Sequence, residues 1–97
     1  MTTLHDKVAV NIARKEGAEY NKNEGVDIVT PKRAIEVETA NTVKEGLRQL
    51  QGFKKPVYIA AVDKETEKAA LEATEGTTIG VMDKNRNIIK KSTRKRS

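Results

Sequence analysis

Three acidic side chains offer the chemistry in this sequence: Asp27 in Gly25-Val26-Asp27-Ile28-Val29, and Glu36 and Glu38 in Ala34-Ile35-Glu36-Val37-Glu38. In a strand, period two sets Glu36 and Glu38 on one face and Ile35 and Val37 on the other. Pro31-Lys32 makes a tight turn between the two segments, which are then antiparallel neighbours, and Asp27 approaches Glu36 across the pair. Carboxylates converging on a sheet otherwise built for burial repel one another and are costly to ionise. A hard cation such as Mg²⁺ or Mn²⁺ offsets that cost with oxygen ligands. The same three acids also fit the solvated face of a hairpin, and spacing alone leaves both readings open.

These residues need elements to hold them. Leu4, Val8 and Ile12 recur at helical spacing, Thr3 caps, and Gly17 stops a helix over 3–16. Residues 18–21 are a short polar strand candidate, 21–25 a turn, 26–30 a strand, and 33–39 a further strand. Asn41 or Thr42 opens a helix to about Gln51, with Val43, Leu47 and Leu50 on one face and Gly52 after it. Pro56–Val62 is apolar throughout, as a strand buried on both faces is. Asp63 or Thr66 opens a helix to about Ala73, residues 77–82 form another strand, and 87–90 add a short edge strand. Three early strands in succession suggest a meander, and the apolar strand after the second helix a crossover into the middle of a mixed sheet. The fold class is α/β, a central mixed β-sheet flanked by helices.

Composition bounds the rest. The 97 residues suit a single domain over 1–90 followed by a basic tail over 91–97. With no cysteine and one histidine, disulfide scaffolds, thiol nucleophiles, cysteine-ligated zinc and multi-histidine metal sites are excluded. Aromatic residues are 3% of the chain, too few for a base-stacking platform. The longest apolar run, Pro56–Val62, is far short of a membrane span, and the first residues show no signal-peptide pattern, so an intracellular, cytoplasmic protein is expected. Charge is uneven. Lys84–Ser97 holds seven basic residues and no acid, while residues 1–83 carry a net charge of −2. Such a tail is a handle for a polyanion, most simply nucleic acid. Lys54, Lys55, Lys90, Lys91, Arg94, Lys95 and Arg96 are the candidate phosphate contacts.

Gly25-Val26-Asp27-Ile28-Val29, a turn, and Ala34-Ile35-Glu36-Val37-Glu38 together resemble the D…(D/E)xK motif of the PD-(D/E)XK nuclease superfamily. They are most similar to the small archaeal Holliday junction resolvases. The expected element order resembles that fold's αβββαβ core over roughly residues 3–62, with a helix and strands added after it. The resemblance implies a restriction-endonuclease-like fold and a metal-dependent DNA endonuclease acting on phosphodiester bonds, with branched or structured DNA as substrate. It implies Asp27 and Glu36 as metal ligands and the Val37 backbone carbonyl as a third. Glu38 stands where the family usually has lysine, in an E-x-E form known from some restriction enzymes of this superfamily. There it acts on water or metal.

The resemblance also reaches the flanks. An acid on the family's first helix falls here at His5 or Asp6. Lys44 and Arg48 are positioned to replace the missing lysine charge. Gln49-Leu50-Gln51-Gly52-Phe53 resembles a Q-x-x-x-Y motif with Phe in place of Tyr. A homodimer is also implied. The alternative, since the lysine is absent, is an inactive nuclease fold that binds nucleic acid or serves as a scaffold. His5 as an exposed helix-start residue, Gln49 as a plain helix end, and Lys54 and Lys55 as solvated lysines remain open.

Overall fold

Local chemistry sets the element ends in this computed structural model, which describes residues 3–22 and 25–95. Helix α1 runs Leu4–Glu16. The Thr3 hydroxyl accepts the Asp6 N–H, and Gly17 closes the helix with φ 69°, a left-handed conformation that glycine adopts without strain. Strands β1 (Ile28–Val29) and β2 (Ala34–Glu38) follow, then α2 (Val43–Gln49) and β3 (Val57–Ala61). Helix α3 (Lys64–Ala73), β4 (Gly80–Met82) and β5 (Ile88–Lys90) complete the order. Asp63 caps α3 by accepting both the N–H and the hydroxyl of Thr66.

The five strands lie in the order β1-β2-β3-β4-β5. β1 and β2 pair antiparallel, β2, β3 and β4 are parallel, and β5 returns antiparallel to β4. β3 is therefore central, as its unbroken apolar run requires, and all five of its residues are buried. The two faces build separate cores. Ile28, Ile35, Val37, Tyr58, Ala60 and Met82 pack against Val8, Ala9, Ile12 and Ala13 of α1. Ala34, Val57, Ile59 and Val81 pack against Val43 and Ala70 of α2 and α3 and against Leu50. The radius of gyration, 11.8 Å, is close to the roughly 12.5 Å expected of a compact chain this long. No helix among the described residues is long and apolar enough to cross a membrane.

The expected meander is absent. Residues 18–21 form no strand: Asn21 donates its N–H to the Asp27 carbonyl at 2.8 Å and its side-chain amide to the Val26 carbonyl, with no further ladder, and Tyr20 turns toward α1 instead. The early sheet is thus a hairpin of two strands. The strand expected over 77–82 begins only at Gly80, because Thr77 continues the turn after α3. Its N–H and hydroxyl both donate to the Thr74 carbonyl, and its oxygen accepts the Ile79 N–H.

The last residues are held rather than trailing. Ser92 accepts the Val57 N–H at 3.1 Å, donates its hydroxyl to the Thr78 carbonyl, and donates its N–H to the Tyr58 hydroxyl. Arg94 donates to the carbonyls of Leu50 and Phe53 just beyond α2, where a cation favours the helix dipole. Gly80 makes this strap possible. A Cβ there would lie 2.5 Å from both the Lys90 carbonyl oxygen and the Ser92 nitrogen.

Candidate carboxylate site

The β1–β2 hairpin brings Asp27 against Glu36. Ile28 is opposite Ile35 in register, so Asp27, one residue earlier, falls beside Glu36. The two exchange contacts through the backbone. Glu36 Oε1 accepts the Asp27 N–H at 2.7 Å, and Asp27 Oδ2 accepts the Val37 N–H at 2.9 Å. Asp27, Glu36 and Glu38 are 9, 3 and 6% exposed, so the solvated-face reading does not describe them. Glu38 lies beneath α2, where Gly46 leaves it room: a Cβ on Gly46 would come within 2.7 Å of Glu38 Cγ.

Burial dominates the ionisation of all three acids, because charged carboxylates lose hydration there. Burial raises the Glu36 carboxyl to about 8, aided by the charges of Asp27, Glu38 and Glu45 and opposed by the Asp27 N–H. Glu38 rises to about 7, again chiefly by burial, with the Thr42 hydroxyl opposing and Asp27 and Glu45 adding. Asp27 is raised by burial and drawn back by the Val37 N–H and by His5.

The start of α1 closes one side. His5 Nε2 lies 3.4 Å from Asp27 Oδ2, with the His5 side chain 32% exposed. The Tyr20 hydroxyl donates to Asp6 Oδ1 at 2.8 Å and lies 3.2 Å from His5 Nδ1. That hydrogen bond, with Lys22 nearby, holds the Asp6 carboxyl below the usual carboxylate range. Burial and the same bond to Asp6 push the Tyr20 phenol up. His5 therefore meets Asp27 directly, while Asp6 is one step removed.

On α2 the candidates divide. Arg48 is ion-paired with Glu45. The Glu45 carboxyl is held below its usual range, chiefly by Arg48 and also by Gln49, and acts electrostatically on Glu36 and Glu38. Lys44 projects elsewhere, into a groove against Ala69, Glu72 and Ala73 of α3.

Of the described basic candidates, all but Lys90 lie at the other end of the strands. Glu38 is paired with Ala61 at the C-terminal end of β3, whereas Lys54 and Lys55 precede its first residue, Val57. Lys55 donates to the Thr30 carbonyl, and the 91–95 strap is fixed at Val57 by Ser92. Lys90 donates to the Thr74 carbonyl at the end of α3. Arg96 lies outside the described residues, as does Glu24, a surface candidate. Glu16, which its sequence position suggests is a surface residue, has a side chain only 5% exposed, between Arg33 and Arg86. Two long-range ion pairs with arginines later in the chain account for the difference.

Thr42, Glu45 and Gln49 share one face of α2 at i, i+3, i+7, a pattern visible in the sequence. Nothing local to Tyr20 marks its place beside Asp6. Among the described residues no three acids or histidines are gathered into a metal-ion cluster. Asp27 Oδ1 and Glu36 Oε2 nevertheless stay outside the backbone bonds that occupy their partner oxygens. To ligate through both, a divalent cation would have to displace the proton that the raised Glu36 carboxyl holds near neutral pH.

No protein-family model, curated protein or solved structure matches this chain.

Proposed function

We propose that this chain is a metal-dependent DNA endonuclease of the PD-(D/E)XK type, with a restriction-endonuclease-like fold working inside the cell. The observation that carries the reading is the pairing of Asp27 with Glu36 across the hairpin, both buried, with the Val37 N–H on Asp27 Oδ2. Asp27 and Glu36, with the Val37 carbonyl, are the residues that would hold Mg²⁺ or Mn²⁺. The ion would make bound water more acidic and stabilise charge on the phosphate. Glu38 stands where it can orient or accept a proton from water, its carboxyl being raised to about 7, near working pH. His5 and Tyr20 hold Asp27 and Asp6 in place. Branched DNA as substrate and a homodimer as working form follow from the resemblance alone.

A second reading has its own observation. Asp27 and Glu36 are tied to backbone amides, and Arg48, the candidate replacement cation, is engaged by Glu45. On this reading the acids lock the hairpin and the fold binds nucleic acid without cutting it.

A cleavage assay separates them. Labelled single-stranded, duplex, flap and four-way-junction DNA would be incubated with Mg²⁺, Mn²⁺ or EDTA, beside Glu36→Gln. The endonuclease reading expects metal-dependent cutting that the variant loses. DNA binding without cutting in either protein would leave the second reading.

A further inference from the structure

The cations assigned to nucleic acid do not surround the carboxylates. Among the described residues, Lys54, Lys55, Lys91, Arg94 and Lys95 gather at the opposite end of the sheet. Ser92 and Arg94 hold the 91–95 strap against Val57, Leu50 and Phe53, beside the loop that carries Lys54 and Lys55. Lys55 reaches the Thr30 carbonyl, which brings in the β1–β2 turn and Lys32. Lys32, Lys54, Lys91 and Lys95 are exposed and, among the described residues, form no ion pair. A shallow groove lined by Pro56, Lys91, Ser92, Thr93, Arg94 and Lys95 runs along the strap. Glu19 lines a separate cavity with Thr30 and Pro31, on the β1–β2 turn. Glu16, nearby, is already neutralised by Arg33 and Arg86.

We propose that this surface is a docking site for the phosphate backbone of DNA, separate from the carboxylate site. The inference rests on the nucleic-acid part of the function proposed above. Charge complementarity selects the occupant. Free ammonium groups on a fixed strap and loop neutralise successive phosphates and release their counterions. Because strap and loop are already ordered, little conformational freedom is lost on binding. An anionic membrane fits less well, since a membrane-surface site adds an insertable apolar face to its cations. Of the large exposed apolar side chains only Val29 adjoins this surface, beside the β1–β2 turn; Leu4, Val10, Leu71, Ile88 and Ile89 lie outside it. Glu36 is in register with Ile59, two residues beyond Val57 on β3, and Glu38 with Ala61, four beyond, so Asp27 and Glu36 are offset from the grip by about 7 Å along the strands and Glu38 by about 13 Å. For Asp27 and Glu36 that is about two base-pair steps. The phosphate held by the strap is therefore not the one presented to Asp27 and Glu36, and affinity and chemistry are separable by mutation.

The test is fluorescence anisotropy of a labelled duplex in EDTA across a salt series, with anionic vesicles as a second ligand. Lys54→Gln/Lys91→Gln/Lys95→Gln removes three free cations at the surface; Lys7→Gln/Lys64→Gln/Lys68→Gln removes the same charge elsewhere. The surface triple is expected to weaken binding at least tenfold and to flatten the log–log salt slope by about 3, from roughly 0.9 per phosphate contact. The other triple is expected to lose much less. Equal losses in both triples, or none in the first, would overturn the docking site while leaving the proposed function intact. Binding to vesicles but not DNA, or no DNA binding at any salt, would overturn both the docking site and the nucleic-acid reading.

Discussion

Replacing Glu36 by glutamine tests whether the carboxylate site stores unfavourable charge. The Glu36 carboxyl is raised from 4.5 to about 8 by burial and by its acidic neighbours. The folded state thus binds this proton more tightly than the unfolded chain. The resulting stability is fully present below about pH 4.5 and is lost as pH rises to about 8. The full shift corresponds to roughly 5 kcal/mol, and structural relaxation and water penetration on ionisation reduce it to about 2–3 kcal/mol. The glutamine side chain keeps an oxygen to accept the Asp27 N–H and carries no charge. Glu36→Gln should match the parent near pH 5 and exceed its stability by about 2–3 kcal/mol near pH 9. Urea denaturation followed by circular dichroism at both pH values measures this. Millimolar Mg²⁺ should raise the parent's midpoint at high pH and leave the variant's nearly unchanged. A variant less stable than the parent near pH 9, or an equal difference at both pH values, would show that the carboxylate is not held against its ionisation.

Gly46→Ala should destabilise by about 1–3 kcal/mol in urea, although alanine is the better helix former. The new methyl would press on Glu38 and on Ile59, whose Cδ1 would lie 2.9 Å away. Gly80→Ala should cost more, because its Cβ would meet the strap's backbone rather than a movable side chain. Faster amide exchange at Ser92 and Thr93 than in the parent is the signature to seek. Tyr20→Phe removes the hydroxyl that leads the lowering of the Asp6 carboxyl, so the Asp6 pKa measured by NMR should rise toward 3.8.

The sequence made the element order and the acid pair readable for local reasons. Alternation along 34–38 placed Glu36 and Glu38 on one face, and the short Pro31 turn forced Asp27 against Glu36. Thr3, Gly17 and Asp63 carried their capping roles in their chemistry. What stayed hidden depends on long-range geometry. Residues 18–21 alternate like a strand, yet Ala18 and Tyr20 pack on the core beside α1, and the Tyr20 hydroxyl bonds Asp6 instead of the segment joining the sheet. The docking of the basic tail was hidden because nothing local shows that Ser92 will bond Val57, thirty-five residues away. The separation of acids from lysines follows from the parallel pairing of β2 with β3. That pairing places Lys54 and Lys55 at the start of β3 and Glu38 beside its end.

Glu16 gives the chain a terminal dependency. It sits between Arg33 and Arg86, while its neighbours Lys15 and Asn11 reach the carbonyls of Asn85 and Lys84. The first helix is thus secured by residues synthesised some seventy positions later. During translation α1 can emerge and coil early, yet its end can dock only after the β4–β5 turn has left the ribosome. A nascent chain arrested before that turn would leave Glu16 with Arg33 alone and the helix end undocked. The fold closes from its last quarter back onto its first.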